Sequence, residues 1–115
     1  MPLMQRFMQW VSRARILSDA RLLELYPSPV VALNRAVAVA MADGYEAGLS
    51  LIDALSQSLD GYHLWHAARA DLQRRLGRRN EAVISYQRAY ALAHNASELR
   101  FLAGRLAELG APLRT

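Results

Sequence analysis

The sequence repeats itself internally. A repeat constrains folding strongly, because a unit that cannot bury its apolar face alone must stack against a neighbour. Ala47, Leu51 and Ala54 are matched by Ala82, Tyr86 and Ala89, each pair 35 positions apart. Small residues seven apart with a large apolar residue between them fall on one face of a helix. The small side chains let a second helix approach, and the large one fills the space that remains. Each of these helices is preceded by another across a short glycine turn: Val30 to Ala42 then Asp43-Gly44, and His63 to Leu76 then Gly77-Arg78. Glycine just past a helix end closes the last turn in the left-handed conformation. The two turns are 33 positions apart rather than 35, so the repeat is imperfect.

Hydrophobic periodicity predicts helices over 13–26, 29–42, 45–58, 62–76, 79–93 and 97–109. No stretch alternates with period two for long enough to make a strand. Pro27-Ser28-Pro29 separates the first two helices, since the residue before a proline avoids helical angles and Pro29 suits a first turn. Asn95-Ala96-Ser97-Glu98 separates the last two, with Asn95 or Ser97 as the cap. Leu3, Phe7, Met8 and Val11 make residues 1–12 apolar enough for a helix. The expected fold is all-α. Residues 1–28 form an N-terminal helical segment packing on the repeats, and residues 29–115 form antiparallel helix pairs, two units and a capping helix, stacked as a short right-handed solenoid. A chain of 115 residues, 53 % apolar, has the material for one such domain. Trp10 and Trp65 read as packing residues, with exposure at an interface as the alternative.

Composition removes several classes of function. Arg35, Asp43, Asp53 and Asp60 interrupt the most apolar stretch well short of the roughly 20 residues a membrane span needs. The opening Met1-Pro2-Leu3-Met4-Gln5-Arg6 lacks the layout of a signal peptide, so a soluble cytoplasmic protein is expected. With no cysteine there are neither disulfides nor thiolate metal sites. All 14 basic residues are arginine, set against ten acids for a net charge of +4. The acids are interspersed among them, which favours helix surfaces of mixed sign over a nucleic-acid footprint.

The second unit, from Ala70 through Leu76-Gly77 to Glu81-Ala82, Tyr86, Ala89 and Asn95, resembles a tetratricopeptide repeat, whose period is about 34 residues. The match is good on the second helix. On the first, His66 and Arg69 occupy positions where that family carries an aromatic residue and a leucine. A narrower resemblance runs from about residue 16 to 109. It is carried by Pro27-Ser28-Pro29-Val30-Val31-Ala32-Leu33-Asn34-Arg35-Ala36-Val37-Ala38-Val39-Ala40, by Asp60-Gly61-Tyr62-His63, by His66-Ala67-Ala68-Arg69-Ala70-Asp71-Leu72 and by Arg75-Leu76-Gly77-Arg78. These strings resemble the C-terminal tetratricopeptide-like extension of extracytoplasmic-function-type bacterial RNA polymerase sigma factors. The resemblance implies a non-catalytic regulatory domain whose partners are proteins: sigma regions 2 and 4, RNA polymerase or another regulator. It implies no direct nucleic-acid contact, no membrane and no cofactor. The alternative is a peptide-binding tetratricopeptide adaptor unconnected with transcription.

Asp60, His63 and His66 are the one constellation suggestive of metal, since residues three apart in a helix can share an ion. A capping aspartate with two locally bonded histidines is the favoured reading, because zinc needs a fuller ligand set, and no metal is expected. His94 reads as a helix end. Arg74, Arg75, Arg78 and Arg79 form the densest basic cluster, beside Asp71 and Glu81, at a helix end whose dipole they complement. Contact with a partner protein is favoured there over nucleic acid. There is no Ser, His and acid arrangement at a recognisable spacing, no phosphate loop and no isolated carboxylate pair, so no enzyme is expected. In tetratricopeptide stacks the first helix of each unit lines a concave groove. By that analogy the partner-binding residues are Asn34, Ala38 and Met41 from one unit with Ala67, Asp71 and Arg74 from the next. Asp71 and Arg74 would then offer opposite charges to a docked helix, and reversing either charge would weaken binding while leaving the fold stable.

Overall fold

Ser28 is extended (φ −143°, ψ 128°), its hydroxyl accepts from the Val31 N–H at 3.5 Å, and Pro29 takes the first helical turn. That combination starts a helix, because the cap satisfies an orphan donor and proline has none to satisfy. The computed structural model describes residues 28–113. Within them run α1 (Pro29–Asp43), α2 (Tyr45–Asp53), α3 (Ser56–Leu59), α4 (His63–Arg75), α5 (Arg79–Leu92) and α6 (Ala96–Glu108). There is no strand among the described residues, and the protein is all-helical there. The expected helices within 1–26, the segment 1–28 apart from Ser28, and Trp10 lie outside the described residues. The chain divides into two units between Leu59 and Asp60.

In the first unit Gly44 alone joins α1 to α2. Its φ of 109° and ψ of 155° lie in a region essentially reserved for glycine, rather than the left-handed helical conformation expected for it. α1 presents Ala36 and Ala40, and α2 meets them with Gly48. A Cβ built on Gly48 would stand 2.3 Å from the Ala40 Cβ and 3.0 Å from the Ala36 carbonyl oxygen, so the helices cross at backbone contact. Leu33, Val37, Leu49 and Ile52 bury beside this crossing.

The expected 35-residue register therefore fails in this unit. Ala47 and Ala54 are exposed and Leu51 is 45 % exposed, while the positions that follow Ala47 and Leu51, Gly48 and Ile52, are the buried ones. The helix expected over 45–58 is also broken. At Leu55 the backbone N–H turns to the Ile52 carbonyl, three residues back, and after this turn the chain re-forms only the short α3. Ser56 and Ser58 contribute little helix propensity there. The turn leaves Leu59 buried.

In the second unit α4 ends in a Schellman closure. Gly77 (φ 79°) donates to the Arg74 carbonyl, and Arg78 donates back to the Gln73 carbonyl. α5 then lies along α4 with Ala82, Tyr86 and Ala89 all fully buried, as the repeat pattern predicts. α4 starts 34 residues after α1, and α5 starts 34 residues after α2. Gly48 and Ile52 are likewise 34 residues before Ala82 and Tyr86, so the structural period is 34.

α6 packs on α5 through buried Leu102 and Leu106. Its far end is held by Gln87, whose Nε2 donates to the Pro112 carbonyl at 2.9 Å, and by Arg79, whose Nη2 donates to the Leu109 carbonyl. Of the two expected caps Asn95 is the one used: its Oδ1 accepts from the Ser97 N–H at 2.8 Å and the Glu98 N–H at 3.3 Å. Asn95→Ala is expected to cost about 1 kcal/mol. Urea denaturation checks this, and an unchanged midpoint would show that the cap is dispensable.

Candidate functional site

The polar groups of the second unit converge between α4 and α5. Asp71 is 1 % exposed. Its Oδ1 accepts from Arg74 Nη2 at 2.7 Å and its Oδ2 from Arg75 Nε at 3.1 Å. The spacings i, i+3 and i, i+4 place all three head groups on one helix face. From α5 the Tyr86 hydroxyl accepts from Arg74 Nε at 3.2 Å and donates to Asp71 Oδ1 at 3.4 Å. Separately, the Ser85 hydroxyl donates to Gln73 Oε1 at 2.7 Å, and Gln73 Nε2 donates to Glu81 at 3.4 Å. A helix interface read as Ala, Tyr and Ala thus also carries two hydrogen-bonded polar clusters.

Burial and the neighbouring Asp71 carboxylate push the Tyr86 hydroxyl up from 10.0 to about 12, against the opposing pull of Arg74 and Arg105. Burial disfavours the charged Arg74 guanidinium, but the hydrogen bonds with Asp71 and Tyr86 and the Asp71 charge outweigh it and hold Arg74 above its usual range. The neutral phenol is the form the fold prefers. Its contribution is therefore fully present below pH 10 and is lost as the pH rises from 10 through about 12, a loss of about 2 kcal/mol. Denaturant unfolding at pH 9 and pH 12 should show that extra loss in the native protein and not in Tyr86→Phe. Equal losses in both would mean that Tyr86 ionises freely.

Asn34, Ala38 and Met41 lie in the first unit, and Ala67, Asp71 and Arg74 in the second. Burial differs among the six. Asn34 and Ala67 are closed off inside the fold, and Asp71 is enclosed by its own arginines and Tyr86, so none of the three presents a surface to a partner. The Asn34 Oδ1 is a buried acceptor with no hydrogen-bond partner among the described residues. Ala38 and Met41 are half-buried. Arg74, with its side chain 26 % exposed, reaches water. Asp71 and Arg74 are brought together, but as a pair bonded to each other.

The histidines face different ways. His66 is buried, its Nε2–H donates to the Asp60 backbone carbonyl at 2.6 Å, and its ring meets Trp65 edge-on. His63 reaches across to Glu98 in the first turn of α6, with Nε2 at 2.6 Å from the carboxylate in a close approach that lacks hydrogen-bond geometry. Glu98 and burial together raise the neighbouring Tyr62 hydroxyl, burial being the larger cause. Among the described residues no three His, Asp or Glu side chains gather closely enough to hold a metal ion. None of the helices there is long and apolar enough to cross a membrane.

Sequence reading missed the Gln73–Ser85 bond and the polar role of Tyr86. The Asp71, Arg74, Arg75 spacing was the one available signal. The site defines a helical module whose polar side chains mostly bond one another and whose arginines reach the surface. No protein-family model matches the chain. No solved structure matches it either. The chain is 47 % identical over 87 residues to an uncharacterized protein of Rhizobium meliloti, a match covering 76 % of this chain and 21 % of that protein. It thus spans about a fifth of the length of the curated relative it matches.

Proposed function

We propose that this chain is a non-catalytic regulatory domain that binds proteins: the C-terminal tetratricopeptide-like extension of a sigma-factor-like transcription regulator, working in the cytoplasm. The observation that carries this reading is the 34-residue spacing of helix starts in two successive helix pairs, Pro29 to His63 and Tyr45 to Arg79. That spacing is the period of tetratricopeptide repeats, whose pairs stack into a solenoid with extended binding surfaces. The ordered strings from Pro27 to Ala40 and from Asp60 to Leu72 supply the narrower likeness to sigma-factor extensions. The Rhizobium relative is roughly five times as long as the segment it shares with this chain, which suits a module carried within a larger protein.

The expected partners are sigma regions 2 and 4 and core RNA polymerase. The immobilised domain should retain purified polymerase or the purified sigma regions at physiological salt, and reversing Arg78 and Arg79 should reduce that retention. If neither partner is retained, the sigma-factor reading fails and a peptide-binding adaptor unconnected with transcription takes its place.

A further inference from the structure

We infer that the bond between Asp60 and Gly61, and not its twin between Asp43 and Gly44, is where the folded chain converts spontaneously to isoaspartate. The product is a substrate for repair methylation from S-adenosylmethionine, placed where the second unit begins. This chemistry is independent of the binding role proposed above.

The tripeptide Asp-Gly-Tyr occurs twice, at Asp43-Gly44-Tyr45 and at Asp60-Gly61-Tyr62. In such a sequence the glycine amide nitrogen attacks the carbonyl carbon of the aspartate side chain. A C–N bond forms, and the carboxyl hydroxyl and the amide hydrogen leave as water. The five-membered succinimide then takes up water again. Opening at one carbonyl restores aspartate, and opening at the other gives isoaspartate, whose main chain runs through the former side chain. Glycine favours the attack because it has no Cβ to obstruct the approach. Local sequence is the same at the two sites, so the fold decides between them.

Ring closure requires the peptide after the aspartate to turn until its nitrogen stands behind the carboxyl carbon. Asp43 is the last residue of α1, and Gly44 is the whole link to α2. Turning that peptide would swing α2 against a crossing where Gly48 meets Ala40 at backbone contact and donates to the Gly44 carbonyl at 3.2 Å. A close-packed contact of this kind yields only by local unfolding. Asp60 lies instead between the end of α3 and the start of α4, with its side chain 73 % exposed. The Gly61 N–H donates to no acceptor among the described residues, and a Cβ built on Gly61 would meet nothing within 4 Å. What holds this peptide among those residues is the bond that the Asp60 carbonyl accepts from His66 Nε2 at 2.6 Å. A single hydrogen bond is a modest restraint. Isomerisation would make that carbonyl part of a free carboxylate beside the buried His66, and would lengthen the link from α3 to α4 by a methylene.

The test ages the whole native chain at physiological temperature and neutral pH, beside the same chain unfolded in guanidinium. Each sample is digested, and isoaspartate is read by methyl transfer from S-adenosylmethionine with a protein isoaspartyl methyltransferase. Peptide mapping places it, since the isomer elutes apart from aspartate at unchanged mass. In guanidinium the two sites should convert at similar rates. In the native chain Asp60 should still convert while Asp43 falls about tenfold or more behind, because Asp43 waits on local opening. Gly61→Ala, which the open space around Gly61 admits, should keep the native circular dichroism and lose most of the labelling at Asp60. Native labelling at Asp43 as fast as at Asp60 would overturn the assignment. So would two silent sites in the native chain while the unfolded chain reacts, or undiminished labelling in folded Gly61→Ala. If that variant does not fold, the comparison of the two sites within the native chain decides alone.

Discussion

Gly48→Ala is expected to destabilise the first unit by about 2–3 kcal/mol, although alanine is the better helix former by about 1 kcal/mol. The added Cβ would lie 2.3 Å from the Ala40 Cβ and 2.7 Å from its Cα. Neither contact is the flexible end of a long side chain, so the adjustment falls on the two helix axes. Separating them would loosen Leu33, Val37, Leu49 and Ile52, which bury beside the crossing. Gly48→Val should be worse still. Gly104→Ala is the matched comparison, because nothing lies within 4 Å of the Cβ it would add, and helix propensity should make it neutral or slightly stabilising. Thermal and denaturant unfolding of the three variants check the ordering. A Gly48→Ala protein as stable as the native one would mean that α1 and α2 do not cross at this residue.

Asp71→Ala is expected to cost about 3 kcal/mol, the lower part of the range for breaking a buried charge pair. The figure sits low because the arginines left behind are partly exposed and water can solvate them. Asp71→Asn, which keeps the shape and an acceptor oxygen, should lose less. Asp71→Arg should lose most, since it adds a third guanidinium to a site holding two. That outcome reverses what an exposed groove position implies, where charge reversal spares the fold. The melting temperature of the three variants distinguishes the two pictures directly. Little change in any of them would place Asp71 at the surface after all.

How much could be read in advance depended on how local the determining chemistry was. Ser28-Pro29, Gly77 and Asn95 set their helix ends with groups a few residues away, so those boundaries were legible. The Ala82, Tyr86, Ala89 face was legible too, because no neighbouring residues offered a competing small, large, small pattern. The first unit did offer one. Ala47 and Gly48 are both small and Leu51 and Ile52 both apolar, so the first two positions of the pattern fit two registers one residue apart, and the third, Ala54 against Leu55, points to the register the fold does not use. A shift of one residue rotates a helix face by about 100°, enough to exchange an exposed leucine for a buried isoleucine. Only the approach of α1 chooses between them. The arginine cluster was visible as a run of charge, and its spacing from Asp71 was visible as well. The burial of Asp71 was not, because it depends on Tyr86, fifteen residues further on and on a different helix.

The single-residue link at Gly44 has a consequence at the level of the gene. Every change at the first or second base of a glycine codon introduces a residue with a Cβ or a stop, and no such residue sits easily at φ 109° and ψ 155°. Third-base changes are silent. The codon is therefore expected to accumulate synonymous substitutions alone wherever this turn is kept. Gly61 and Gly104, where an added Cβ would meet nothing within 4 Å and φ is not positive, carry no such restriction and are free to drift to alanine or serine. Sequencing a deep mutational library selected for folding would show this as one glycine that never changes beside two that do.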